Sequence, residues 1–186
     1  MPAPRRLARA ERERRILDVA ARLFYARGVH EVGMDELVRA TGLGKASVYR
    51  MFSTKDALIG AYLRRQADEL LALIDADIAR HEGDPASAVK AIFAAVADDL
   101  ARPQFRGCAF NNASIEFADP SHPARAVARE YRTGVHDRLR RLAGDDVGAS
   151  LALVLDGMYT NAAHLGPNGP AAQGPRLARA LMAGRA

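Results

Sequence analysis

The sequence predicts an all-α chain. Apolar residues recur at helical spacing over most of its 186 residues, and glycine- or proline-rich breaks cut the pattern into helix-sized pieces. No stretch alternates apolar and polar residues for long enough to make a half-buried strand, and no internal repeat is present.

The first helix is expected over 10–27, where Ile16, Ala20, Leu23, Phe24 and Ala26 share one face and Gly28 follows as a stop. Two short helices follow, 34–41 and 45–52, with Gly42 at the turn between them. Ser53, Thr54 and Asp56 form the cap and first turn of a fourth helix. That helix carries Leu58, Tyr62, Leu70, Ile74 and Ile78 and runs to about His81, a length of about 40 Å. Beyond Gly83-Asp84-Pro85, helices are expected at 85–101, 105–118, 123–143, 146–165 and 171–184. The breaks between them are Pro103, the segment Asp119-Pro120-Ser121-His122-Pro123, Gly144-Asp145-Asp146, and 166–170.

Composition narrows the function classes. The chain is 49% hydrophobic, yet no apolar run reaches the eighteen or so residues of a membrane span. The charged N-terminus lacks the apolar segment of a secretory signal, and the single Cys108 cannot form a disulfide within the chain. A cytoplasmic protein with no membrane partner is the expectation. The net charge of +5 is unevenly spread. Residues 1–65 hold fourteen Lys and Arg against seven Asp and Glu, whereas the rest hold thirteen against fifteen. A basic end that meets a polyanion, with a near-neutral body behind it, fits that division.

Enzyme chemistry has no visible constellation. His30, His81, His122, His136 and His164 lack the paired spacing of metal ligands, so neither a metal site nor a cofactor is expected. Gly42-Leu43-Gly44-Lys45 lacks the spacing of a phosphate loop and follows a helix rather than a strand. Nothing near Cys108 in sequence would lower its pKa.

The informative stretch is MDELVRATGLGKASVYRMFSTKDAL, residues 34–58. Two short helices about a glycine turn match a helix-turn-helix, whose second helix enters the major groove. Leu37, Val38, Val48 and Phe52 are spaced to face the first and fourth helices, which leaves Gly44, Lys45, Ser47, Tyr49 and Arg50 outward. No acidic residue lies between Glu36 and Asp56, as a surface that approaches phosphates requires. Arg50 and Lys45 have the reach for guanine or phosphate. The Arg5, Arg6 and Arg9 tail either adds non-specific or minor-groove contacts or serves only as a solubilising tail.

Residues 11–63 resemble the DNA-binding region of the TetR (tetracycline-repressor) family of bacterial regulators. The resemblance is carried by Phe24-Tyr25-Ala26-Arg27-Gly28, then Gly42, then Ser47-Val48-Tyr49 with Phe52, then Thr54-Lys55-Asp56-Ala57-Leu58. It implies an N-terminal three-helix helix-turn-helix head joined by a long helix to a C-terminal helical bundle that dimerises. It divides the chain into a DNA-binding domain at 1–54 and a ligand-binding and dimerisation domain at 55–186. The implied function is a ligand-responsive repressor released from a palindromic operator by a small molecule. The DNA-facing set becomes Gly33, Met34, Gly44, Lys45, Ala46, Ser47, Tyr49, Arg50, Thr54 and Lys55, with Lys55 resembling a phosphate clamp. Two departures are visible: Val32-Gly33 stands where the family usually places a Thr or Ser cap, and Gly44 where it often has Ser.

The body is expected to sense the effector. Residues 106–132 resemble the C-terminal domain of one TetR subgroup, and polar groups there sit among apolar helices. A buried polar group must find a partner or face a ligand. Cys108, Phe110, Asn111, Asn112, Glu116, Tyr131, Met158, Tyr159 and His164 are the candidate lining of a largely apolar pocket. Val147, Leu151, Val154, Leu155 and Met158 make one apolar stripe, and Leu177 and Leu181 another, as the interface of a homodimer. The expected partners are therefore double-stranded operator DNA, a small-molecule effector and a second copy. The competing reading is a helical protein-interaction module whose basic end binds acidic partners.

Overall fold

A computed structural model describes residues 8–184. Among them lie nine α-helices, one 3-10 turn and no strand. The helices are α1 (Arg9–Arg27), α2 (Met34–Thr41), α3 (Lys45–Met51), α4 (Lys55–Arg80) and α5 (Pro85–Leu100). After them come α6 (Ala109–Glu116), α7 (Pro123–Ala143), α8 (Asp145–Leu165) and, past the turn Pro170–Gln173, α9 (Gly174–Ala183). Arg5 and Arg6 lie outside the described residues; Arg9 opens α1.

Local chemistry sets several of these boundaries. The Thr54 hydroxyl accepts from Ala57 N (3.1 Å) and caps α4, and Asp84 accepts from Ser87 N (3.0 Å) to cap α5. His122 Nδ1 accepts from Ala124 N (3.2 Å) at the start of α7. The largest departure from expectation is α6, which begins four residues late. Arg106 N donates to the Tyr25 hydroxyl (2.9 Å), which donates in turn to Gly107 O (3.0 Å). Gly107 has φ +90°, outside the helical region. These contacts with α1 hold residues 105–108 away from a helix that their own pattern allows.

Helices α1–α3 form the head, and α4 serves both parts. Its N-terminal turns place Leu58, Ile59 and Tyr62 in the core, with the Tyr62 ring 5.9 Å from that of Phe24. Farther along, α4 packs on α5 and α7, while α7 packs on α6 and α8 and α9 closes over α5 and α8. One buried apolar cluster runs from Ile16 through Leu63 to Phe93, Leu139 and Leu151. Because the core crosses the junction, the head is not tethered by a loose linker.

The α7–α8 crossing depends on Gly148. A Cβ there would stand 2.7 Å from Arg140 Cα and 2.8 Å from Arg140 N, which are backbone atoms that cannot turn aside. Gly148→Ala is expected to force the helices apart and lower stability by about 1–3 kcal/mol. Urea unfolding measures this, and an unchanged midpoint would refute the close crossing.

Candidate nucleic-acid interface

The turn between α2 and α3 is built from two residues. Thr41 is fully buried; its hydroxyl donates to Val38 O (2.8 Å) and accepts from Leu43 N (3.1 Å), so it satisfies backbone groups left by the end of α2. Gly42 follows at φ +64°, where a side chain would be strained and would also meet Arg15 at 3.1 Å. The turn aims α3 so that Leu37, Val48 and Phe52 are buried and Val38 half-buried. Gly44, Lys45, Ala46 and Arg50 are exposed, and Ser47 and Tyr49 half-exposed. Gly33 and Thr54 are exposed, whereas Met34 and Lys55 are half-buried at the edges of this face.

These donors are not equally free. Lys45 Nζ lies 2.8 Å from Asp35 Oδ1 and 5.7 Å from the Tyr49 ring centroid. The hydrogen bond holds Asp35 below the usual carboxylate range and Lys45 above the usual ammonium range. Both partners are well exposed, so the pair is weak and a phosphate can replace Asp35. Lys55 Nζ donates to His30 O (3.4 Å) at the surface of the head. Arg50 makes no ion pair or hydrogen bond with any described residue. At Gly33 and Gly44 no side chain caps the following helix, and an added Cβ would meet nothing within 4 Å. Serine would fit at either position, so the two departures from the family pattern do not arise from crowding.

Helix α6 fastens head to body at both ends. Its leading loop binds Tyr25 as described, and the Arg106 guanidinium also donates to Ala26 O. At its far end the Glu116 carboxylate accepts from Val29 N (3.1 Å), and Glu116 O lies 3.0 Å from His30 Nε2. The Phe117 ring stacks on His122 (3.7 Å) and lies 5.2 Å from His30. His122 Nε2 stands 3.6 Å from Asp56 at the start of α4. Beside this joint is a cavity of about 240 Å³ bordered by Tyr25, Gly28, Asn112 and Glu116.

The body contains two adjoining cavities of about 130 and 270 Å³, which share Leu70, Leu73, Asp99, Tyr131 and Tyr159. Of the residues expected to line a pocket, Cys108, Phe110, Tyr131 and Tyr159 meet here. Burial pushes the Cys108 thiol up, away from the reactive thiolate. The other expected lining residues lie elsewhere. Glu116 belongs to the joint, and Asn112 Nδ2 donates to Arg106 O (3.1 Å). Asn111 accepts from Arg132 (2.5 Å), whose guanidinium also pairs with Asp156 and so ties α6 to α7 and α8. Met158 is packed against Gly174, and His164 is exposed near the end of α8. Sequence reasoning missed Glu69, Asp99 and Arg102, which also line this space. Asp99 had one visible signal, a carboxylate near the end of the apolar run AIFAAVA.

The expected dimer stripe divides. Leu151, Leu155 and Met158 are buried within the subunit, at 0, 5 and 2% exposure, and offer a second copy no surface. Val147, Val154 and Leu181 are half-buried, while Leu177 is exposed. Leu153, 73% exposed, stands on the outward face of α8. Period alone could not separate the two faces, because α8 carries apolar residues on both. Among the described residues no group of His, Cys, Asp or Glu is placed to hold a metal ion, and no helix is long and apolar enough to cross a membrane.

The family model for bacterial regulatory proteins of the tetR family matches residues 16–62. An uncharacterised HTH-type transcriptional regulator of Mycobacterium tuberculosis is 43% identical over 56 residues, 30% of this chain and 28% of that one. The HTH-type transcriptional activator FasR of Mycolicibacterium smegmatis is 41% identical over 66 residues, 36% and 30% of the two chains. The chain thus spans under a third of the length of these curated relatives. The crystal structure of a TetR-family transcriptional regulator from Streptomyces coelicolor superposes with a TM-score of 0.87 at 29% identity, over 94% of this chain and 95% of that one.

Proposed function

The chain belongs to the TetR family, and from that membership we propose that it is a sequence-specific DNA-binding regulator, released from a palindromic operator when a small molecule occupies the body. The observation that carries the reading is the outward face of α3. Gly44, Lys45, Ala46 and Arg50 project from a helix whose other side is locked into the core; α3 itself carries no carboxylate, and Asp35 of α2, which stands beside the face, is paired with Lys45. Arg50 reaches base edges, Tyr49 and Ser47 contact phosphate or base, and Lys45 exchanges Asp35 for phosphate. Thr54 and Lys55 hold the backbone at the start of α4, while Gly33 and Met34 approach it at the start of α2.

Two copies joined through the outer faces of α8 and α9, with Leu153 and Leu177 at the contact, present two heads to successive major grooves roughly 34–36 Å apart. The effector enters the cavities beside Tyr131 and Tyr159. Their α4 wall, Leu70 and Leu73, continues directly into the head, and Phe110 and Cys108 lie on or next to α6, which grips the head at Tyr25 and Val29. A ligand that binds one arrangement of α4 and α6 better than the other therefore changes the spacing of the heads. The sign of regulation is repression in this reading.

The test is binding of the purified chain to its own upstream DNA with excess unrelated competitor. Competitor-resistant binding of two subunits per site supports the proposal. If competitor removes that binding and selection from a random DNA pool enriches no sequence, the head binds acidic partners instead, as an interaction module would.

A further inference from the structure

The effector cavity has a sign as well as a shape. Its walls are apolar and aromatic: the Phe110 and Tyr131 rings stack at 3.8 Å, and Tyr159 lies 6.0 Å from Phe105. The charged groups that face it are mostly acidic. Asp99 and Glu69 line the 270 Å³ part and Asp77 the 130 Å³ part, against the single cation Arg102. Asp77 has a partner outside the cavity in Arg80, and Glu69 stands 3.7 Å from Arg65. Asp99 sits where the two parts meet, on the wall that carries Tyr159, whose hydroxyl donates to its Oδ2 (3.4 Å). Its counterion, Arg102, lies on the solvent side with a side chain 60% exposed, whereas that of Asp99 is 28% exposed. The pair is therefore easily opened from outside.

From these positions we propose that the effector is a small aromatic monocation, held with its charge at Asp99 and its ring against Tyr159 and Tyr131, and that it displaces Arg102 on entry. A cation gains from the carboxylate and from the faces of electron-rich rings. An organic anion would instead meet Asp99 together with Asp77 and Glu69, whose own partners Arg80 and Arg65 do not line the cavity. A neutral ligand leaves the Asp99–Arg102 pair intact and draws only on apolar burial. Both tyrosines keep their protons, since burial pushes each hydroxyl well above its usual range, so the rings add no negative charge of their own. The proposal rests on the reading of these cavities as the effector site.

The test compares two fluorescent probes that differ by one methyl group and one charge. They are N-methyl-4-(4-dimethylaminostyryl)pyridinium and its unmethylated parent, titrated above the pKa of the parent's pyridine nitrogen. The cation is expected to bind about tenfold more tightly. Asp99→Asn should erase that preference and leave the neutral probe unaffected. Arg102→Gln, which removes an exposed competitor, should tighten the cation alone; a merely structural role for the pair would not produce this opposite shift. Ala95→Trp, which narrows the cavity, should weaken both probes. If both probes bind equally, are weakened by Ala95→Trp and ignore Asp99→Asn, the cation proposal falls while the effector cavity stands. If neither binds, or binding ignores Ala95→Trp, the effector-site reading falls with it.

Discussion

Replacing Tyr49 and Arg50 together with alanine is expected to weaken operator binding by a hundredfold or more, with folding unchanged. A side chain that reads a base edge contributes about 1–3 kcal/mol, and a phosphate contact adds to that. Arg50 is exposed and makes no ion pair or hydrogen bond with any described residue, and Tyr49 is half-exposed. Truncating them opens no cavity in the head. The check is a competition binding assay run beside thermal unfolding of both proteins. Wild-type affinity in the double variant would remove α3 from the reading surface. A fall in Tm as large as that of a core substitution would make the loss uninformative about contact, and Arg50→Gln alone would then separate the two effects.

Leu37→Ala should do the reverse: its first effect is on stability, and the loss of DNA binding follows from that. Leu37 is fully buried in α2, a helix of eight residues whose cap is a glycine with no side-chain bond. Such a helix draws most of its stability from packing. Truncating a buried leucine costs about 2–5 kcal/mol, the upper part where neighbours cannot collapse into the space. Val32, Val48 and Ile16 of the same core cluster are themselves fully buried. The head should lose protection from amide hydrogen exchange at α2 and α3 first, while α7 and α8 keep theirs. Equal loss across α2, α3, α7 and α8 would mean that the shared core makes head and body one cooperative unit.

The two substitutions also mark how far the candidate site was legible. The outward and inward faces of α3 could be read from a window of twenty-five residues, because a short helix with one apolar face has one way to pack. The body was harder. Glu116 and Asn112 looked like pocket residues because they are polar groups among apolar helices, and that description fits a joint equally well. Glu116 lies eighty-seven positions from its partner Val29, a distance over which no local pattern carries information. Asp99 sits among other charges at a helix end, a pattern that usually means solvent.

Sequence by itself determined the helices, most of their ends, the turn at Gly42 and the residues that α3 presents. Each depends on chemistry within about one or two turns of chain: apolar period, caps, and backbone freedom at one glycine. Tertiary structure decided what depends on contacts between distant segments. It shortened α6, because Tyr25 holds residues 106 and 107 out of the helix. It also turned Leu151, Leu155 and Met158 inward and left Leu153 outside. Period places residues on a common face, but only the neighbouring helices determine which face is covered.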